Sequence, residues 1–86
     1  MSRIEIYTQE WCGYCARAKQ VFDRRGVAYT EIDAPRGSPE RAEAIRRSGG
    51  RPTVPQIFID GAHIGGCDEL LALEQAGKLD PLLRAA

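Results

Sequence analysis

Two cysteines with two residues between them, Cys12 and Cys15, stand where the chain changes its period. Residues 3–8 alternate apolar with polar side chains and are rich in β-formers, which predicts a strand. Residues 9–13 form a loop. From Tyr14 onward, Tyr14, Ala18, Val21, Phe22 and Arg25 recur at helical spacing, and Gly26 stands where a helix C-terminal cap belongs. Alternation returns over 27–33. A strand, a helix and a second strand in so short a run make a right-handed parallel unit, and the rest of the chain must be built onto it.

The remainder adds one helix, a hairpin and a closing helix. Pro35 and Gly37 mark a turn-rich loop over 34–38, and Ser38 can cap a helix that takes Pro39 at its first position. That helix runs through Ala42 and Ile45 to Gly49-Gly50. Residues 56–59 predict a third strand. Asp60-Gly61 is a strong two-residue hairpin signal, so 62–64 becomes a fourth strand antiparallel to the third. Gly65-Gly66 leads into a helix over 67–76 with Leu70, Leu71 and Leu73 inward, and Asp80-Pro81 opens a short last helix. The order β-α-β-α-β-β-α is that of a small α/β sandwich: a four-stranded mixed sheet flanked by helices. A chain of 86 residues has room for one core, so residues 1–86 are expected to form a single domain.

Charge and composition narrow the function classes. Twelve basic residues balance twelve acidic ones, which argues against a dedicated nucleic-acid binder or a polybasic membrane-surface protein. No apolar run approaches the roughly 18 residues of a membrane span, and the first residues do not read as a signal peptide. A cytoplasmic location follows as the expectation. The three cysteines are too few, and odd in number, for a secreted disulfide scaffold. In a reducing compartment a close pair points to redox chemistry or a metal.

Placement favours redox chemistry. Cys12 falls at a helix N-terminus, where free N–H groups and the macrodipole favour an anion. The thiolate is the reactive form, and such a site can lower a thiol pKa from about 8.5 to roughly 3.5–7.5. Cys15, one turn further in, has less access and a poorer field. The asymmetry makes Cys12 the attacking thiol and Cys15 the resolving one. The competing reading is half of a zinc site, but zinc needs four ligands and His63 and Cys67 are too isolated to supply the second half. No resident metal is expected.

Two further segments carry signals. In Thr53-Val54-Pro55 a proline opens a strand, where it needs no N–H. A plain strand start and a cis peptide that turns the Val54 backbone toward a substrate both fit. In Gly65-Gly66-Cys67-Asp68 a glycine pair before a helix offers N–H groups to an anion, and Asp68 could pair with an amine. A simple hairpin-to-helix connection fits equally well.

Together these segments resemble the glutaredoxins, specifically the bacterial dithiol class with a C-G-Y-C site. The residues that carry the resemblance are 5–8 (Glu-Ile-Tyr-Thr), 12–15, 53–59 and 65–68, in order along essentially the whole chain, with Asp80-Pro81-Leu82-Leu83 at its end. The resemblance implies a thioredoxin-like fold, glutathione as reductant and co-substrate, and a cis Val54-Pro55 bond. It implies that glutathione lies along the Val54 backbone beside Thr53 and Pro55, with its γ-glutamyl carboxylate on the amides of Cys67 and Asp68 after Gly66. Asp68 would hold the amine, Arg41 the glycine carboxylate, and the Tyr14 ring would flank the sulfur.

The chain departs from that pattern in four places. Gln9 replaces a usual Lys, which weakens the carboxylate anchor and the thiolate's stabilisation. Gly13 replaces a usual Pro. Trp11 replaces a small polar residue and resembles the W-C-G-P-C of thioredoxin; it reads as an exposed flank for substrate contact. The loop over 48–52 is one residue longer than in close bacterial relatives. Of the remaining candidates, Cys67 reads as an apolar filler ahead of a regulatory thiol, His63 as solvated, and Arg46, Arg47 and Arg51 as a solvated face that could steer acidic partners.

The favoured function is a glutathione-dependent thiol–disulfide oxidoreductase acting on protein disulfides and glutathionylated proteins, without nucleic acid or membrane partners, as a monomer. The alternative is a dimer bridging a [2Fe–2S] cluster through Cys12 and bound glutathione, which Gly13 would permit. A third reading, suggested by Trp11 and Gln9, is a thioredoxin-like donor served by thioredoxin reductase.

Overall fold

The computed structural model describes residues 2–84. Its elements are β1 (Ile4–Thr8), α1 (Gly13–Arg24), β2 (Thr30–Asp33), α2 (Pro39–Arg47), β3 (Gln56–Ile59), β4 (Ala62–Gly65), α3 (Cys67–Gln75) and α4 (Leu79–Arg84). The strands form one mixed sheet in the order β2-β1-β3-β4. β1 runs parallel to β2, with Tyr7 opposite Ile32, and antiparallel to β3, with Ile6 opposite Ile57. The hairpin is present as expected, with a register shift at Ile57/Phe58.

Alternation along the central strands divides the interior in two. Ile4, Ile6, Ile57 and Ile59 face Ala18, Val21 and Phe22 of α1, Leu70 of α3 and Leu79 of α4. Tyr7 and Phe58 point the other way, against Ala34 and Ala44 beneath α2. Fully burying side chains of this size stabilises by about 1.5–3 kcal/mol each. The architecture is a thioredoxin-like sandwich, with α1 and α3 on one face and α2 on the other.

Several boundaries differ from the sequence reading. β2 begins at Thr30, three residues later than the alternation suggests, because the chain is still closing off α1. Gly26 adopts φ 65°, and the Val27 N–H returns to the Phe22 carbonyl at 3.3 Å. α2 ends at Arg47 with Ser48 as its cap, ahead of the two glycines, and Ser38 Oγ caps its start by accepting the Arg41 N–H at 3.0 Å. Its inward face is Arg41 and Ala44; Ala42 is exposed and Ile45 half-buried. A charged residue takes the core-facing position, for a reason given below.

The arginine cluster is also only partly solvated. Arg47 forms a fork on Glu5 at 3.1 and 3.3 Å, donates to the Tyr7 hydroxyl at 2.9 Å, and lies 4.0 Å from the centre of the Phe58 ring. Arg51 pairs with Glu69 at 2.8 Å, whereas Arg46 is exposed and reaches Glu43 only at 3.9 Å. His63 is exposed, as expected, although its Nε2 lies 2.7 Å from Gln56 Oε1 and its ring tilts against Phe58.

Candidate active site

β1 ends at Thr8, the chain crosses an exposed loop, and Cys12 becomes the N-cap of α1. The Cys15 N–H donates to Cys12 Sγ at 3.2 Å, so the helix end already offers this sulfur a hydrogen bond. Cys12 and Cys15 are joined as a disulfide, with Cα atoms 5.2 Å apart. Cys12 is half-buried, whereas Cys15 is 2% exposed beneath it. Trp11 reaches that corner with φ 60°, a conformation bulky residues rarely adopt, and its side chain is 99% exposed.

The second segment lies alongside. Cys12 Sγ is 3.9 Å from the Val54 carbonyl oxygen, and the Val54–Pro55 bond is cis. Tyr14, Thr53, Val54, Pro55, Gly66, Cys67 and Asp68 line one groove of about 290 Å³. Tyr14, Thr53 and Val54 also line a larger groove of about 650 Å³ that contains Cys12 and Arg41. The structure therefore brings every predicted site residue to one corner of the sheet. Cys15 is covered there by its partner sulfur.

The glycine pair does more than open space. A Cβ on Gly65 would meet Glu69 Oε1 at 2.5 Å, and one on Gly66 would meet the Pro55 carbonyl at 3.3 Å. Glu69 was not singled out by its sequence position, yet it closes the start of α3. It accepts the Gly66 N–H at 2.6 Å and pairs with Arg51. The Gly66 N–H and then Arg51 hold its carboxyl below the usual carboxylate range. A depressed folded-state pKa contributes stability above the unfolded value of about 4.3, and that contribution is lost as pH falls through the folded value. Glu69→Gln should therefore flatten the acid limb of stability against pH. Denaturant titrations of both proteins between pH 6 and 3 check this, and parallel curves would contradict it.

Arg41 is placed unlike a solvent-facing cation. It is 7% exposed and spends its donors on neighbouring segments. Nε and Nη2 reach the Pro52 carbonyl at 3.2 and 2.9 Å, and Nη1 reaches the Ala34 carbonyl at 2.9 Å and Gln9 Oε1 at 2.8 Å. This explains the inward face of α2. It also sets a guanidinium against Gln9, the position where a lysine is missing. Arg36 and Ile45 line the same groove and were not expected. For Arg36 the signal was topological: the 34–38 loop leaves the carboxyl end of a parallel strand, where open α/β sheets bind ligands.

Cys67 is 4% exposed, and burial pushes its thiol pKa up, which fits a packing role better than a reactive one. No group of three or more potential ligands that could hold a metal occurs among the described residues. No helix among them is long and apolar enough to cross a membrane.

Reversible exchange with another sulfur is the chemistry open to a capped, accessible cysteine backed by a buried one. On a thioredoxin-like sheet it defines a thiol–disulfide oxidoreductase. The glutaredoxin family model matches residues 4–64. Glutaredoxin 3 of Escherichia coli (strain K12) is 54% identical over 84 residues, covering 98% of this chain and 100% of that protein. Among solved structures, glutaredoxin from Brucella melitensis is 54% identical with a TM-score of 0.82, covering 95% of this chain and 88% of that one. A buckwheat glutaredoxin–glutathione complex is 36% identical with a TM-score of 0.84, covering 95% of this chain and 76% of that one. The chain belongs to the glutaredoxin family.

Proposed function

We propose that this protein is a glutathione-dependent disulfide reductase acting on glutathione mixed disulfides and protein disulfides. The observation that carries the reading is Cys12 Sγ, capped by an N–H of α1 and set 3.9 Å from the Val54 carbonyl, where the two grooves meet. The Cys12 thiolate attacks the glutathione sulfur of a mixed disulfide. A Cys12–glutathione disulfide forms, and the target sulfur leaves as a thiolate that takes a proton from water. A second glutathione thiolate attacks the bound glutathione sulfur, releasing oxidised glutathione and regenerating Cys12. With a protein disulfide, Cys12 forms the mixed disulfide and the Cys15 thiolate displaces the substrate, leaving the Cys12–Cys15 disulfide for glutathione to reduce.

Glutathione lies along the Val54 backbone between Thr53 and Pro55, with Tyr14 flanking its sulfur. Its γ-glutamyl carboxylate meets the Cys67 and Asp68 amides after Gly66, and Asp68 holds the amine. Arg41 and the exposed Arg36 supply positive charge on the glycine carboxylate's side. The thiolate should be accessible at neutral pH, so the alkylation rate of the reduced protein should rise with a midpoint well below the free-thiol value of about 8.5. Turnover of a small mixed disulfide should require glutathione. A midpoint near 8.5, or turnover supported by thioredoxin reductase and not by glutathione, would refute this reading.

A further inference from the structure

A third groove opens on Cys12 from the side away from Val54. It measures about 620 Å³ and lies between the 9–12 loop, the first turn of α1 and the end of β2. Its charge is opposite to that of the 650 Å³ groove, where the glycine carboxylate of glutathione would lie; the 290 Å³ groove carries Asp68 and Glu69 beside Arg51. The 650 Å³ groove carries Arg36 and Arg41 and no acidic residue. This one carries Glu10, Glu31 and Asp33 against the single cation Lys19. Lys19 is already bound to Glu31 at 3.0 Å, and Thr8 Oγ1 donates to the same carboxylate at 2.7 Å. Glu10 and Asp33 have no ion-pair partner among the described residues. Trp11 lines both grooves and stands fully exposed between them.

We infer that this groove receives the polypeptide half of a protein substrate, and that it selects segments carrying Lys or Arg close to the reacting cysteine. The inference rests on the function proposed above. A glutathionylated protein has two halves joined at the sulfurs. The glycine carboxylate of glutathione suits the arginine side, and its amine suits Asp68 at the start of α3. The polypeptide must leave by a path that glutathione does not occupy, and this groove is continuous with Cys12. An unpartnered Glu10 and Asp33 complement a cationic segment, and an exposed tryptophan is a common anchor at protein interfaces. The chain's formal net charge is zero, so a preference for cationic segments cannot come from overall attraction. The exchange itself is unchanged: the Cys12–glutathione bond forms, the glutathione–protein bond breaks, and the cationic polypeptide leaves as a thiolate that takes its proton from water.

The test uses two glutathionylated synthetic peptides, identical except that the residues flanking cysteine are Lys in one and Glu in the other. A mixed disulfide of glutathione and 2-mercaptoethanol is the control. The parent protein should show kcat/KM about 3- to 10-fold higher on the Lys peptide, shrinking as salt is raised. The double variant Glu10→Gln, Asp33→Asn should lose that preference and turn over the control at the parent rate. Equal rates on the two peptides, or a preference that survives in the double variant, would overturn the inference. Failure of the parent on the control would instead overturn the glutathione-dependent function and this inference with it.

Discussion

Cys12→Ser should lose turnover of every disulfide substrate, down to background. Cys15→Ser should still strip glutathione from mixed disulfides and should fail on protein disulfides. The difference follows from access and position. Cys12 is half-buried, caps α1 and accepts an N–H there, whereas Cys15 is 2% exposed and bonded to Cys12. A serine hydroxyl keeps the cap geometry and offers no thiolate at neutral pH, so the first variant isolates the nucleophile. Attack on a glutathione mixed disulfide needs one protein sulfur; displacing a protein from Cys12 needs the second. Assays of both variants on a small mixed disulfide and on an oxidised protein check this. If Cys15→Ser lost both activities to the same extent, the division of roles would be wrong.

The second large effect is expected at Arg41. Its guanidinium ties together three segments that converge on the site: Pro52, just before Thr53-Val54-Pro55; Ala34, at the end of β2; and Gln9, before Cys12. Arg41→Met keeps much of the volume and removes every one of those bonds. A buried acceptor left without its donor costs about 1–3 kcal/mol, and the bond to the Ala34 carbonyl is buried whereas those to the exposed Pro52 can be replaced by water, so a loss of about 1–3 kcal/mol is expected. KM for glutathione substrates should rise as the 52–54 segment loosens. Arg41→Lys should fall between, because one ammonium cannot reach all three partners. Urea unfolding of the three proteins measures the ranking. A methionine variant as stable as the parent would show that the bonds are dispensable.

The reactive pair was legible as a short local pattern, two cysteines at a change of period, whereas the proline opening a strand and the glycines before a helix each fit a plain structural reading too, and only the resemblance implied the cis Val54–Pro55 bond. The sheet was legible because alternation in 3–8 marks β1 and the Asp60-Gly61 hairpin signal pairs 56–59 with 62–64. What escaped was decided by contacts distant in sequence. Arg41 occupies a helical position that reads as surface, and only the nearness of the Pro52 and Ala34 carbonyls turns it inward. Arg47 is drawn over Phe58 by Glu5, 42 residues away. Glu69 looks like any exposed helical acid until the fold brings Arg51 beside it. Residues 27–29 alternate like a strand, yet Val27 is held by the helix it leaves.

The sheet ends on two short edges, β2 and β4, of four residues each. Formal charge balance means that no long-range repulsion holds copies of this chain apart. Protection against one copy's backbone adding itself to another's sheet therefore falls on the edges themselves. β2 carries Glu31 and Asp33, side chains whose charge an added strand would have to desolvate or oppose. β4 is irregular where it leaves β3, so its free rim is not a flat template. The acids beside Cys12 thus also guard against strand-by-strand self-association, a constraint on the outer rim that is independent of the chemistry at the sulfur.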